Sequence, residues 1–384
     1  MGAEQCLKAV KPLTNDIGDA IIDHAGDLIE GFIDKQLLPV ELIYKVWGKV
    51  KLKIQQDPDP KIYWLKNPGP AVWNGESYIM PIVDNTTVLP RDHHVYLFVH
   101  GIENQGINDA FEFYKSFEKE AKMFYLEDDR RSFKEIFIVS YNVKMSEEIK
   151  NTILDGFAKV VEDIVIGQGP LMLAAVFWKE LERRAIKTGN ILIPFLSKML
   201  ENYNTGYVIT HSLGSYVMAH AAHQAIRSNP NVLKLFNVWL AIAPAVPCNA
   251  FANPNDGDNF SLAPGICETY YEGSRYENQF GMKIFYSSND IVLNTAYTLA
   301  KGYPAMGSIG AYARGRIYPF KNINVTRQVG TTHQTSGDNG YFHLIGPRIR
   351  LILGTIIEGA IDNKLENMCL YENKENCKSS PILN

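Results

Sequence analysis

A serine hydroxyl is a poor nucleophile until a base takes its proton and the chain holds it exposed in a tight turn. The segment Thr210-His211-Ser212-Leu213-Gly214 has the residue types for such a turn. The apolar run Tyr207-Val208-Ile209 stands directly before it and reads as a strand. Behind it, Ser215-Tyr216-Val217-Met218-Ala219-His220-Ala221-Ala222 reads as a helix rich in small residues, able to start close to a sheet. A strand-to-helix turn with small neighbours is the device that lifts a serine hydroxyl to the edge of a sheet, the G-x-S-x-G elbow. The plainer alternative for Ser212 is a buried polar turn without chemistry.

His-Ser-Leu-Gly after a strand resembles the elbow of the α/β-hydrolase superfamily, in its lipase and esterase branch. Thr210 departs from that pattern, standing where the first glycine usually is. The resemblance runs from His100-Gly101 to His333, about 235 residues and most of the main domain. It implies that Ser212 is the nucleophile and that two backbone N–H groups form an oxyanion hole. Leu213 supplies one of them. The other comes from the loop after Val99-His100-Gly101, with Ile102 as the expected donor and Gly101 as its alternative. A glycine that only turns the chain is the bland reading of Gly101.

The order implied for this fold is serine, then acid, then histidine. In Tyr286-Ser287-Ser288-Asn289-Asp290-Ile291-Val292 an acid follows a strand and precedes two apolar residues, which points to Asp290. Asp256 and Asp258, in a loop rich in Asn and Gly, are the alternatives. Only His333 and His343 follow Asp290. His333, just after the last strand, is the expected base; His343, inside the closing helix, is the alternative base. His220 and His223 precede the acid and read as structural. Ala241-Ile242-Ala243-Pro244, the Ser-Ser-Asn-Asp strand end and a late His before Tyr341-Phe342 are also similar to hydrolase-like proteins of unknown function from chlamydiae.

Such a set needs strands that end together. From residue 78 onward, short apolar runs alternate with helical stretches, the pattern of a parallel sheet flanked by helices. Strands are expected at 95–99, 135–141, 207–209, 238–242, 282–286 and 323–329, and helices at 110–124, 215–227 and 341–353. The helical region 147–202 is longer than one crossover requires and reads as an insertion, a lid or acyl pocket on one view and plain core on the other. The expected fold class is α/β, an α/β-hydrolase fold with a mostly parallel central sheet flanked by helices, a helical insertion and an N-terminal helical appendage. Its divisions are an N-terminal helical region and linker at 1–70, a hydrolase domain at 71–362 with its insertion at about 145–203, and a polar tail at 363–384. Ile17, Ile21, Leu28, Ile29, Phe32 and Ile33 carry the helical spacing of the first region. Packing or oligomer contacts and a membrane surface are the two readings of that appendage.

Hydrophobic residues at 46% and charged residues at 21% describe an ordinary globular chain. A net charge of −4 leaves no basic excess for phosphate binding, so nucleic acid is excluded as a partner. Cys6, Cys248, Cys267, Cys369 and Cys377 are scattered, with no CxxC or Cys/His cluster to hold zinc. Free thiols are expected for most, with Cys248–Cys267 and Cys369–Cys377 as pairs for an oxidising compartment. The loop at 244–280 lacks an EF-hand spacing, so no metal and no cofactor are expected. The first residues lack a signal-peptide pattern, which points to the cytoplasm, with export by a signal-independent route left open. The uncharged run 164–178 has 15 residues and is too short to span a bilayer. The expected function is hydrolysis of carboxylic esters or thioesters, small-molecule or lipid-derived. The alternative is a catalytically inactive hydrolase scaffold used for binding or as an effector.

Overall fold

Val95-Tyr96-Leu97-Phe98-Val99 is apolar at every position, which suits a strand covered on both faces. All five residues are buried in the computed structural model, within strand β2 (His94–Val99). The structure describes residues 59–65, 82–84, 87–89, 94–102, 106–121, 134–143, 169–202, 205–228, 236–250, 281–301, 303–311 and 320–357. The expectations for residues 1–58, for the acids Asp256 and Asp258, for the first part of the helical insertion and for the polar tail fall outside them.

Around β2 the described strands are β1 (Lys61–Leu65), β3 (Lys134–Ser140), β4 (Thr205–His211), β5 (Phe236–Ile242), β6 (Gly281–Tyr286) and β7 (Phe320–Asn324). They form one seven-stranded sheet in the order β1-β3-β2-β4-β5-β6-β7. Every pairing is parallel except β1 with β3. With helices on both faces, this is the architecture of an α/β-hydrolase fold.

The pleat shows how those faces are covered. Phe98 pairs in register with Ile138, so Phe98 and Phe137 point to opposite sides of the sheet. Phe98 meets Phe113, Tyr114 and Phe117 of α1 (Gly106–Ala121) edge-on, at 6.2, 5.1 and 5.3 Å between ring centroids. Phe342, in the closing helix α4 (Tyr341–Ile357), packs against the same Phe113 and Phe117. On the other face Phe137 meets Phe195 of α2 (Gly169–Asn202) at 5.0 Å. Helix α3 (Leu213–Ser228) lies against α2, where His220 Nε2 and Asn190 Oδ1 are 2.9 Å apart.

Three details differ from the sequence reading. The last strand ends at Asn324, whose Oδ1 accepts the Thr326 N–H at 2.9 Å, and Thr326–Val329 is a helical turn. The antiparallel edge strand β1 is not among the expected strands, because the sequence on either side of it is rich in proline (Pro58, Pro60, Pro68 and Pro70), although Ile62, Trp64 and Leu65 are buried. Cys248 is buried and disulfide-bonded, as its candidate pairing in an oxidising compartment would have it and against the preference for free thiols.

Candidate active site

In this sheet the chain leaves β2 for β3 on one side and returns as β4 on the other. That reversal is a topological switch point, where open α/β sheets leave a crevice beyond the carboxyl ends of their strands. Val99 pairs with Thr210, so β2 and β4 end level, and His100-Gly101 emerges beside His211-Ser212. Two glycines permit the approach. A Cβ on Gly214 would strike the main-chain oxygens of Val99 and His100, and one on Gly101 would press on the His211 ring and Ser212 Cβ.

Ser212 takes the left-handed conformation that such an elbow imposes, with φ 49°. Among the described residues only Ala243, with φ 44°, is another non-glycine of this kind. The main chain over-determines the turn. Ser212 N–H donates to Ile242 O at 3.0 Å, and Ser212 O accepts the N–H groups of Ser215 and Ala245, each at 3.0 Å. Thr210, the departure from the usual glycine, faces inward. Its Oγ1 accepts the Trp239 Nε1–H at 2.8 Å and lies 2.8 Å from Ser215 Oγ. A threonine fits there because β5 supplies a donor for its hydroxyl.

Asp290 follows β6 in a turn closed by its own N–H to Ser287 O at 3.1 Å. Its Oδ1 accepts the Leu293 N–H at 3.0 Å, capping the helical segment 291–301. Its other oxygen, Oδ2, accepts His333 Nδ1–H at 2.7 Å. A carboxylate can only accept, which leaves His333 Nε2 as the acceptor for Ser212 Oγ–H, 2.8 Å away. Two bonds tie the turns that carry Asp290 and His333. Ser287 Oγ donates to Gly330 O at 2.7 Å, and Ile291 N–H donates to Thr331 O at 3.2 Å. Tyr341 Oη stands 3.4 Å from Asp290 Oδ2. Burial, then the Asp290 carboxylate, pushes the Tyr341 phenol well above its usual range, so it is present as O–H.

The structure thus brings Ser212, Asp290 and His333 into one hydrogen-bonded line. It places His343 elsewhere, 48% exposed on α4 with Nδ1 3.4 Å from Glu120. Leu213 is buried and opens α3, where first-turn N–H groups have no acceptor within the helix. Ile102 is half-buried and follows Gly101 at the same edge. Ser212 and Asp290 are fully buried and His333 is 8% exposed.

Two further imidazoles lie beside this line. Burial holds His100 down at about 4 and His211 well below its usual range, His333 adding to the effect on His211. Both are therefore neutral near pH 7. Sequence reasoning gave neither His211 nor Tyr341 a role at the site. His211 occupies a position the elbow pattern leaves open, and Tyr341 is separated from Asp290 by 51 residues. Among the described residues no group of three His, Cys, Asp or Glu is placed to hold a metal ion, and no helix is long and apolar enough to cross a membrane.

No protein-family model and no curated protein matches the chain. Solved structures similar to it include LpqC, a poly(3-hydroxybutyrate) depolymerase from Bordetella parapertussis. It is 14% identical, with 72% of this chain and 84% of that chain covered and a TM-score of 0.34. EstE1, a thermophilic carboxylesterase cloned from a metagenomic library, is 13% identical over 85% of this chain and 98% of that chain, with a TM-score of 0.30. A hyperthermophilic esterase from the archaeon Pyrobaculum calidifontis is 13% identical over 94% and 97% of the two chains, also with a TM-score of 0.30. Likeness at this level adds no weight to the geometry above.

Proposed function

We propose that this chain is a serine hydrolase that cleaves carboxylic ester or thioester bonds through an acyl-enzyme. One observation carries the reading: Ser212 Oγ, His333 and Asp290 are joined by hydrogen bonds of 2.8 and 2.7 Å at the carboxyl edge of the sheet. Ser212 Oγ attacks the carbonyl carbon while its proton passes to His333 Nε2. Asp290 holds the imidazole in the tautomer that can accept that proton, and then faces the imidazolium as a carboxylate. The N–H groups of Leu213 and Ile102 receive the oxyanion. Collapse of the tetrahedral species expels the alkoxide or thiolate, which takes the proton from His333. Water then attacks the acyl-Ser212 carbonyl, giving its proton to His333, and the second collapse returns that proton to Ser212 Oγ and frees the acid.

No cofactor enters these steps. The substrate is a small-molecule or lipid-derived ester; the triad itself does not choose between them.

A fluorophosphonate probe tests the reading, because it phosphonylates only a serine that has a working base. Labelling is expected for the wild type and for His343→Ala, and not for Ser212→Ala. His333→Ala is expected to label at least a thousandfold more slowly, roughly the size of effect that removing a triad base has elsewhere. A folded wild type that stays unlabelled would return the chain to the non-catalytic scaffold reading. Activity that survives in His333→Ala but not in His343→Ala would move the base to α4.

A further inference from the structure

The elbow pattern leaves the residue before the serine open, yet in this chain it is an imidazole only 4% exposed, His211. Its ring lies between the two halves of the site. On one side the His333 ring is 4.9 Å away between centroids, inclined at 45°. On the other, His211 Nδ1 is the atom nearest to where a Cβ on Gly101 would stand. Phe113 of α1 and Tyr341 of α4 close the remaining sides, at 6.3 and 6.5 Å.

Neither ring nitrogen makes a hydrogen bond among the described residues; the His333 main chain faces the ring, but outside bonding geometry. Buried polar atoms without partners are rare because each one destabilises the fold. Phenylalanine would fill this aromatic cage without that penalty. The imidazole therefore sits where packing alone would favour a hydrocarbon ring.

We propose that His211 is a positioning residue of the hydrolytic site described above: its polar ring packs against His333 and, through a nitrogen lone pair, steadies the charged form that His333 takes beside Ser212. The inference rests on the serine-hydrolase reading and deepens it. When His333 takes the Ser212 proton, the new charge lies beside a polar ring whose tautomer no hydrogen bond fixes. His211 can turn a lone pair toward that charge, which a phenyl ring cannot do. Its neighbours that titrate are His333, Tyr341 and, from the end of β2, His100. Burial keeps His211 itself neutral, so it does not compete for the catalytic proton.

The test uses the full chain, a chromogenic short-chain ester and three variants: His211→Phe, His211→Gln and His211→Ala. His211→Phe is expected to lower kcat about ten- to a hundredfold with KM changed by less than about twofold, while its thermal midpoint stays level or rises. His211→Gln, which keeps polar atoms in the cage, is expected to retain more kcat than His211→Ala. Wild-type kcat in His211→Phe would overturn the inference. So would equal kcat in the Gln and Ala variants, which decides the matter if the Phe variant does not fold. An unlabelled wild type would defeat the hydrolase reading and this inference with it, whereas a labelled wild type beside an unimpaired His211→Phe defeats this inference alone.

Discussion

At the end of β2, the His100 ring stacks on Tyr141 with centroids 4.4 Å apart, and its Nδ1–H donates to Gly101 O at 2.9 Å. Burial pulls its pKa down to about 4, against opposing contributions from the Gly101 carbonyl and Asp109. In the unfolded chain a histidine titrates near 6.5. Between those values the unfolded state binds a proton that the folded state does not, so stability is present above about 6.5 and is lost as pH falls toward about 4. The full loss from His100 is roughly 3 kcal/mol, and His211 acts with the same sign. Urea midpoints measured from about pH 7 down to about pH 4 should fall steadily, and His100→Phe, which keeps a ring on Tyr141, should flatten the slope. An unchanged slope in that variant would assign the acid sensitivity to other groups. Single residues were legible in the sequence where they come soon after an apolar run. Ser212, Asp290 and His333 each follow an apolar run, so their types and order had local context. His100 was read only as part of a His-Gly strand end, because its burial depends on Tyr141, 41 positions away in the chain.

The elbow shows what an element demands of its residues. Alanine is the better helix former and Gly214 lies in the first turn of α3, so propensity alone favours Gly214→Ala by up to about 1 kcal/mol. Packing opposes it more strongly. The added methyl would meet the main-chain oxygens of Val99 and His100, neither of which can swing aside as a side chain could. The expected outcome is a net destabilisation of about 1–3 kcal/mol together with slower probe labelling at Ser212, because α3 must retreat from β2. A variant as stable and as reactive as the wild type would show that the two elements separate freely. Parallel strands were the most legible elements, since burial on both faces writes itself as continuous apolar runs. Edges and ends were harder. After β7 the apolar Val325 and Val329 prolonged the strand pattern, but Val329 N–H donates to Val325 O at 3.0 Å in a helical turn. That turn aims the chain back toward Asp290, and nothing in its hydropathy distinguishes it from one more strand residue pair.

At the scale of the whole molecule, the acid must be held from both ends of the segment that it begins. Asp290 caps residues 291–301 at the start, and Lys301 closes the segment at its far end, its Nζ 2.9 Å from Glu182 of α2. One helical turn before Glu182, Trp178 meets Tyr297 edge-to-face at 5.0 Å. Helix α2 lies over the Phe137 face of the sheet, so these contacts brace the acid-bearing segment against that layer. Lys301 and Glu182 are 119 positions apart in the chain, and no local pattern in the sequence points to their meeting. Burial lowers the Lys301 pKa, but the Glu182 carboxylate and then Tyr303 outweigh it, so the ammonium is favoured overall. Lys301→Met is expected to destabilise by roughly 3 kcal/mol, since it strands the Glu182 carboxylate at a side chain only 11% exposed. Adding Glu182→Leu should recover most of that loss, because two apolar groups in contact replace the ion pair. Urea unfolding of the two single variants and the double variant measures the coupling, and probe labelling reads the site. If the brace positions Asp290, labelling slows in Lys301→Met and stays slowed in the double variant even as stability returns. Labelling that recovers in step with stability would make the pair a fold contact with no hold on the acid.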